Sequence, residues 1–292
     1  MVFLSQLISG ISLGGIYSLI ALGYTMVYGI AKMLNFAHGD VIMIGAFVIY
    51  TSVVSAGLNP ALAVLIAMVF CTVLGMLIER LAYKPLRQAT SLAVLITAIG
   101  VSYFLQNIAL LIFGSDTKQF TSVVNLEPVT IADGLVISGE TIITIVVSVV
   151  IMIALVIFVN KTKPGKAMLA VSEDKGAAQL MGINVNGTIA LTFAIGSALA
   201  AVAGALLCSS YPTLSPYTGA MPGIKAFVAA VFGGIGSIPG AMVGGILLGV
   251  IENLSKGYIS SQLSDAIVFA VLVIVLLVRP TGIMGKKINE KV

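Results

Sequence analysis

The chain has 292 residues, of which 59% are hydrophobic and 9% charged, and its mean hydropathy is +1.14. That composition excludes a soluble globular domain and predicts an all-α polytopic membrane protein, with residues 1–292 forming a single transmembrane domain that contacts membrane lipid. The net charge of +4 is modest, and its basic residues cluster in a few loops without interleaved aromatics, so no nucleic-acid partner is expected.

A helix that crosses a membrane needs about 20 apolar residues. We predict seven uninterrupted spans and one interrupted stretch, 224–252, which together give a bundle of about eight transmembrane helices. The uninterrupted spans are 4–31, 41–56, 61–82, 92–113, 141–159, 189–208 and 258–278. No Lys or Arg precedes the first span, so it is expected to remain as a membrane helix rather than to be cleaved as a signal peptide.

The basic residues predict which ends of the spans face the cytoplasm. They follow the third, fifth and last spans, at Arg80, Lys84 and Arg87, at 161–175, and at 279–291. By the positive-inside rule these loops are cytoplasmic, which places the N-terminus outside and the acid-rich loop 114–140 outside as well. Within that loop, Asp133 and Gly134 between short apolar runs predict a small β-hairpin.

The segment 35–40 holds the one histidine of the chain, His38, together with Asn35 and Asp40. Two such ligands without a companion His or Cys are too few for zinc, so no metal site is expected. The favoured interpretation is a junction between helices, and these three residues are also the best candidates for polar groups that line a pathway.

Polar side chains also occur inside the fourth span. Gln106 and Asn107 carry amides that are costly in lipid, and we expect both to find partners on other helices. Thr97 and Gln106 are further pathway candidates, although packing is the favoured interpretation of Thr97. Asn59-Pro60-Ala61 occurs once, whereas water channels use this tripeptide twice, so it predicts a turn and a helix start.

The segment 161–187 is polar. Its six charges would cost about 15 to 20 kcal/mol in mid-bilayer, so it must leave the membrane. Pro164 and Gly165 open it, Ser172 is expected to cap a turn led by Glu173 and Asp174, and Gly182 to end that turn in a left-handed conformation. The pattern predicts a short structured helix on the membrane surface that touches a partner.

Glycine shapes the stretch 224–252. Its centre, 233–240, reads GGIGSIPG, which predicts a broken or re-entrant pair of half-helices, each too short for a full crossing. Small residues at four-residue spacing predict close helix packing at Gly10 and Gly14, Gly196 to Cys208, Gly240 and Gly244, and Gly245 and Gly249. Cys71 and Cys208 are expected to be small packing residues.

The sequence contains none of the common catalytic or phosphate-binding motifs. No GxSxG, HExxH or GxxxxGK[ST] pattern occurs, so no catalytic residue is expected and the chain by itself is not expected to hydrolyse ATP.

Four segments resemble the LivH-type permease subunits of ABC importers for branched-chain amino acids. They are 14–40, 95–114, 229–252 and the segment GKAMLAVSEDKGAAQLMGIN at 165–184, which is similar to the cytoplasmic coupling loop of that family. The resemblance implies that the coupling residues are Ser172, Glu173, Asp174, Ala177, Gly182 and Ile183. Leu169 departs from the family, which commonly has a second basic residue there.

The resemblance also implies the partners and the location. It implies a bacterial inner-membrane importer in which this subunit and a similar second permease form the pathway, two ATP-binding subunits hydrolyse ATP, and an extracytoplasmic binding protein delivers leucine, isoleucine or valine. No cofactor is expected on this chain. The alternatives are a related permease for urea or short amides, and a stand-alone channel.

Overall fold

A computed structural model describes residues 2–132 and 135–285. In these residues the chain forms eleven α-helices: α1 (Val2–Ala31), α2 (His38–Tyr50), α3 (Pro60–Ile78), α4 (Ser91–Phe113), α5 (Gly139–Lys161), α6 (Lys163–Glu173), α7 (Lys175–Leu180), α8 (Val185–Ser210), α9 (Ala220–Gly233), α10 (Ile238–Tyr258) and α11 (Ser264–Val278). Four short strands pair antiparallel, β1 (Lys118–Gln119) with β4 (Thr213–Leu214) and β2 (Val129–Ala132) with β3 (Leu135–Ile137). The strand pair β2–β3 brackets the predicted hairpin, whose turn at Asp133 and Gly134 lies outside the described residues.

Seven helical segments in the described part of the chain are long and apolar enough to cross a membrane. They are α1, α4, α5, α8, α10, α2 extended by a π-helical turn to Ser55, and α3 extended by π and 3-10 turns to Leu86. The chain is therefore predominantly helical with seven candidate membrane spans, as expected for a polytopic membrane protein, whereas the count of about eight spans stays a prediction. Asn59 caps α3 by accepting a hydrogen bond from the Ala61 amide, with Pro60 as the first helical residue, as the sequence predicted.

Two predicted boundaries near the C-terminus were wrong. The second half of the stretch 224–252 is not short, because α10 runs for 21 residues from its Ser237 cap to Tyr258. Its glycines pack closely against neighbouring helices, Gly245 and Gly249 against α1 and Gly240 and Gly244 against the end of α9. Tyr258 consequently ends α10 instead of beginning the last span, and α11 begins only at Ser264 and has 15 residues.

The helices α1 and α8 form the centre of the bundle, since 78% of the apolar window of each is buried. The corresponding windows of α3, α4 and α5 are only 22 to 28% buried, so these helices lie at the periphery and expose large apolar side chains. In a membrane, such faces contact lipid or another membrane-embedded chain.

Glycines bring α1 and α10 into backbone contact. The two helices run antiparallel, with Gly10 beside Val250 and Gly14 beside Gly249, and a methyl group at either α1 glycine would collide with the α10 backbone. The Ser18 hydroxyl donates to the Met242 carbonyl across the same interface, at 2.8 Å. The predicted role of these glycines in close packing is confirmed. Cys71 and Cys208 are fully buried, as expected for packing residues.

Basic side chains gather at one end of the bundle, which we call the basic end. There Lys32 follows α1, Arg87 pairs with Glu79 and donates to Asn186 in the first turn of α8, and Lys161 ends α5. The opposite end holds the beginning of α1, the paired strands and the turn between α10 and α11, where Asn253 donates to Gln6.

Two helices begin inside the bundle rather than at its ends. α1 ends at Ala31, the next residue Lys32 has a left-handed φ of 59°, and the chain then turns back without helical structure until His38 packs against Gly23. Gly23 lies eight residues before the end of α1, which places the start of α2 about 12 Å into the bundle. α9 begins beside it, because Gly219 and Gly223 contact Gly39.

Candidate functional site

Buried polar side chains surround the start of α2. Asn35, His38 and Asp40 are each at most 3% exposed. The Tyr83 hydroxyl donates to the Asn35 side-chain oxygen at 2.9 Å, which fixes the segment that precedes α2 to the π-helical turn after α3. The backbone N–H of His38 donates to the Asn35 carbonyl, so the two residues form one turn.

His38 occupies the space beside α1 that Gly23 leaves open. Its ring lies edge-on to Tyr24, with the ring centroids 4.9 Å apart, and any side chain at Gly23 would occupy the position of the imidazole. Within the described residues the Nε2 atom of His38 is buried and has no hydrogen-bond partner. A buried, unpartnered polar atom is rare in folded proteins, which makes this atom a candidate for contact with a transient polar group.

Asp40 and Gln106 join α2 to α4. The Gln106 side-chain amide donates to the Asp40 carboxylate at 2.8 Å and to the Ser102 hydroxyl at 3.3 Å. The prediction that Gln106 finds a partner on another helix is confirmed. Two of the polar candidates from distant parts of the sequence therefore meet in the middle of the bundle.

The remaining polar residues of α4 do not join this cluster. Thr97 lies nine residues before Gln106, or about 13 Å along the helix, and is half-buried. The prediction for Asn107 was wrong, because its amide donates to the Tyr103 carbonyl of its own helix at 2.8 Å and the residue is exposed. One turn of helix supplies an acceptor to a side chain that points outward, so Asn107 needs no neighbouring helix.

The polar segment at the basic end forms two short helices, α6 and α7, that meet at Asp174. Thr162 caps α6 and accepts a hydrogen bond from the Gly165 amide, whereas Gly165 packs against the α5 backbone at Phe158. The buried residues Met168 and Val171 hold α6 against the bundle. This segment is therefore a rigid extension of the bundle at its basic end.

The cap predicted at Ser172 was wrong. Ser172 lies in the last turn of α6 and its hydroxyl donates to the Leu169 carbonyl, whereas Asp174 caps α7 by accepting from the Ala177 amide at 2.9 Å. The reason is that the helix continues to Glu173 and bends one residue later, where a carboxylate caps as well as a hydroxyl does. Glu173 and Asp174 are exposed, as is Ala177 in the first turn of α7.

Gly182 ends α7 as predicted. Its φ of +83° is left-handed, and the amides of Gly182 and Ile183 donate to the carbonyls of Gln179 and Ala178. Ile183 is half-buried and packs against the core, so it holds the end of the segment in place instead of projecting from it. Of the predicted coupling residues, Glu173, Asp174, Ala177 and Gly182 are thus exposed, whereas Ser172 is half-buried and Ile183 anchors the end of the segment.

The sequence analysis did not identify three residues of this segment as functional. Leu180 and Met181 are 90% and 82% exposed, larger fractions than those of almost any other apolar side chain that the structure describes. Lys175 donates to the Ala31 carbonyl at 2.9 Å and so ties α7 to the end of α1; burial, Arg87 and Lys32 lower the pKa of its ammonium. The available signal was the pair of apolar residues Leu180 and Met181 directly before Gly182, inside a segment whose charges already required it to leave the membrane.

The α2 cluster and the α6–α7 segment differ in the groups that they offer to a ligand or partner. Over residues 2–132 and 135–285, no three His, Cys, Asp or Glu side chains come together in a way that could hold a metal ion. The α2 cluster offers hydrogen-bonding groups in the middle of the bundle, and the α6–α7 segment offers a rigid surface with two apolar side chains. Ala31 and the turn that leads to α2 connect them.

Comparison with known proteins gives one family over nearly the whole chain. The family described as "Branched-chain amino acid transport system / permease component" matches residues 6–276. The chain is 46% identical to the "High-affinity branched-chain amino acid transport system permease protein LivH" of Salmonella typhimurium and, equally, of Escherichia coli K12, over 99% of this chain and 98% of each relative. It is 45% identical, with the same coverage, to the corresponding permease protein BraD of Pseudomonas aeruginosa.

Proposed function

The chain belongs to the family of branched-chain amino acid transport system permease components, and on that premise we propose that it is the membrane subunit of an ATP-driven importer for leucine, isoleucine and valine. The observation that carries this proposal is the 46% identity over 99% of the chain to permeases named for these substrates. A permease for urea or short amides is not favoured, because the three relatives described above are all named for branched-chain amino acids.

The proposed orientation places the basic end in the cytoplasm of a bacterial inner membrane. The positive-inside rule supports it, and the alternation of the helices is consistent with it. The helices α1 to α5, α8, α10 and α11 give eight crossings, and the chain from Tyr211 through α9 returns from the opposite end to the break at 234–237, which lies at the basic end beside Gly29. This return makes the number of passages odd. The N-terminus is then outside and the C-terminus inside.

We assign the α6–α7 segment to the contact with the ATP-binding subunits. Leu180 and Met181 project from a segment that is capped at Asp174 and fixed to the bundle by Met168 and Lys175. Apolar side chains of this size bury well in a groove of a partner, and a rigid segment transmits a displacement of that partner to α1. ATP is hydrolysed in the partner subunits, and no cofactor is bound by this chain.

The other partners follow from the same division of labour. The peripheral faces of α3, α4 and α5 are apolar and exposed, which suits lipid and the second permease subunit. An extracytoplasmic binding protein docks at the end opposite the basic end and delivers the amino acid. Asn35, His38, Asp40 and Gln106 lie along the route toward the cytoplasm, with His38 and Asp40 at mid-depth.

Uptake by intact cells tests this proposal. Cells that lack only this chain are expected to lose uptake of labelled leucine, isoleucine and valine at low external concentration, and to recover it when the chain is supplied again. Unchanged uptake of the three amino acids together with lost uptake of urea would contradict the assignment of the substrate.

Co-purification separates an importer subunit from a stand-alone channel. An affinity-tagged chain extracted in mild detergent is expected to retain a second permease and two ATP-binding subunits. Solute flux through the isolated chain in vesicles without ATP would contradict the proposal.

A further inference from the structure

A cavity of about 270 Å³ opens at the end opposite the basic end, between α1, α8, α9 and α10. One wall is apolar and includes Leu13, Leu207 and Met221. The other wall holds Lys225, Glu252 and Lys256, three charged side chains that lie within otherwise apolar helices. This cavity belongs neither to the α2 cluster nor to the α6–α7 segment.

Glu252 is the centre of the charged wall and is 1% exposed. One carboxylate oxygen accepts from the ammonium groups of Lys225 at 2.8 Å and Lys256 at 2.6 Å, and the other accepts from the Tyr17 hydroxyl at 2.8 Å. Lys225 also pairs with Asp265 at 2.7 Å. Two cations and two anions therefore balance, which makes a cluster of zero net charge.

Burying such a cluster costs free energy, which suggests that the cluster has a function. Removing charged groups from water costs several kcal/mol per ion even when the ions are paired, and an apolar set of the same volume often serves stability as well. Polar groups inside membrane segments are by default candidates for substrate routes. Here the cluster lies at the wall of an open cavity, so a ligand can reach it.

Lys256 is the member best placed to meet a ligand. Its side chain is 32% exposed and makes one hydrogen bond among the described residues, although an ammonium can donate three. Lys225 is more deeply buried and already pairs with two carboxylates. An incoming anion therefore finds donors at Lys256 without breaking the cluster.

We propose that this cavity is a transient binding site for a zwitterionic α-amino acid with an aliphatic side chain, an inference that rests on the proposed function. The α-carboxylate accepts from the Lys256 ammonium, the α-ammonium donates to the Thr218 hydroxyl and is attracted at longer range by the Glu252 carboxylate, and the aliphatic side chain packs on Leu13, Leu207 and Met221. The two signs of charge on one wall and the apolar surface on the other match the two halves of such a molecule.

The volume of the cavity and the zero net charge of the ion cluster both suit a small ligand that binds transiently. Cavities for drug-sized molecules span roughly 300 to 1,000 Å³, so a cavity of about 270 Å³ suits a smaller molecule. A route requires sites that bind well enough for entry and weakly enough for release. The ammonium groups already engaged with Glu252 offer an incoming carboxylate only part of their attraction, which keeps the affinity low.

Transport by the complete complex in proteoliposomes tests this site. Lys256→Met is expected to lower leucine transported per second at saturating loaded binding protein by about tenfold, the factor expected for one lost hydrogen bond to a charged group. Hydrolysis of ATP stimulated by the binding protein is expected to fall less than transport does, so that leucine moved per ATP decreases. Lys256→Arg keeps the charge and is expected to retain transport.

A second variant and two controls keep the result interpretable. Met221→Trp fills the apolar side without touching the ion cluster and is expected to impair leucine transport more than alanine transport. Lys84→Met removes an exposed lysine at the basic end and is expected to leave transport unchanged. The melting temperature of each purified complex shows whether a variant has merely lost stability.

The outcomes separate this site from the function proposed above. If the unsubstituted complex fails to move leucine, the proposed function is wrong and the site falls with it. If the unsubstituted complex moves leucine and both Lys256→Met and Met221→Trp retain its rate and its leucine-to-ATP ratio, only the site is wrong. A loss of melting temperature that parallels the loss of activity in Lys256→Met, with unchanged transport in Met221→Trp, would show that the cluster is structural and would also overturn the site.

Discussion

Gln106 and Asn107 are neighbours on α4 and carry the same amide group, yet they have different partners. Gln106 is buried and donates to Asp40 on α2, whereas Asn107 is exposed and donates to a carbonyl of its own helix. Adjacent positions on a helix point about 100° apart, so one faces the bundle and the other faces outward. The two residues form a natural pair for measuring what the buried cluster contributes.

Gln106→Ala is expected to weaken transport more than it weakens folding. The substitution removes the amide donor from a buried carboxylate and should lower the free energy of unfolding by about 1 to 2 kcal/mol. If Asp40 lines the route, leucine uptake per molecule in the membrane should fall several-fold further than abundance does. Uptake assays normalised by immunoblot check this.

Asn107→Ala is the matched control and should leave both quantities unchanged. Equal losses of uptake and abundance in Gln106→Ala would mean that the Asp40 contact serves the fold alone.

The helices α6 and α7 act as one element because each of their ends is fixed. Thr162, Asp174 and Gly182 set the beginning of α6, the bend and the end of α7, and Lys175 ties the bend to α1. A displacement applied at Leu180 or Met181 is therefore passed to the bundle rather than absorbed in a loop. A single substitution of the N-cap residue Asp174 can test whether this element is rigid.

Asp174→Ala is expected to reduce leucine moved per ATP, whereas Asp174→Asn is expected to retain it. Alanine removes the acceptor for the Ala177 amide, at a cost of about 1 kcal/mol for the α7 start, and asparagine caps nearly as well as aspartate. Leucine flux and ATP hydrolysis measured on the same proteoliposomes give the ratio. A similar ratio for all three proteins would remove the cap from the coupling mechanism.

Packing between elements depends on where glycines meet a neighbour. Gly249 on α10 touches the α1 backbone at Gly14, whereas Gly100 on α4 has open space beside it. Gly249→Val should therefore force α1 and α10 apart and cost more than the 1 to 3 kcal/mol typical of overpacking, because backbone cannot move aside as a side chain can. Gly100→Val places the same side chain on a lipid-facing surface.

The melting temperatures of the two purified variants check this difference. Gly249→Val is expected to lower the melting temperature or the yield sharply, and Gly100→Val is expected to change neither. Equal melting temperatures would contradict the backbone contact between α1 and α10.

At the scale of the whole molecule, composition and charge were sufficient to predict a polytopic helical protein, and small-residue spacing was sufficient to predict the tight interfaces. The bend at Asp174 and the length of α10 were not predictable, because each depends on contacts from elsewhere in the chain: Ala31 holds α7, and Gly10 and Gly14 pack against Gly249 of α10. The Lys225 to Glu252 pair was missed for the same reason, although Glu252 and Lys256 at i,i+4 were a visible signal.

The orientation of the whole chain can be measured with single cysteines. Ser55→Cys lies at the end opposite the basic end, and Lys163→Cys lies at the basic end; both sites are exposed, and the native Cys71 and Cys208 are buried. A membrane-impermeant maleimide is expected to label Ser55→Cys in intact spheroplasts and Lys163→Cys only after the membrane is opened. The reverse pattern would invert the proposed topology.

The contact between α1 and α10 also sets an order of events during synthesis. Ser18 and Met242, which meet across that interface, are 224 residues apart in the chain. At about 5 to 20 residues per second the ribosome needs roughly 10 to 45 seconds to make the partner of α1. Helix α1 therefore waits in the membrane with Gly10 and Gly14 uncovered until α10 has been made, and a chain that terminates before residue 238 never covers them.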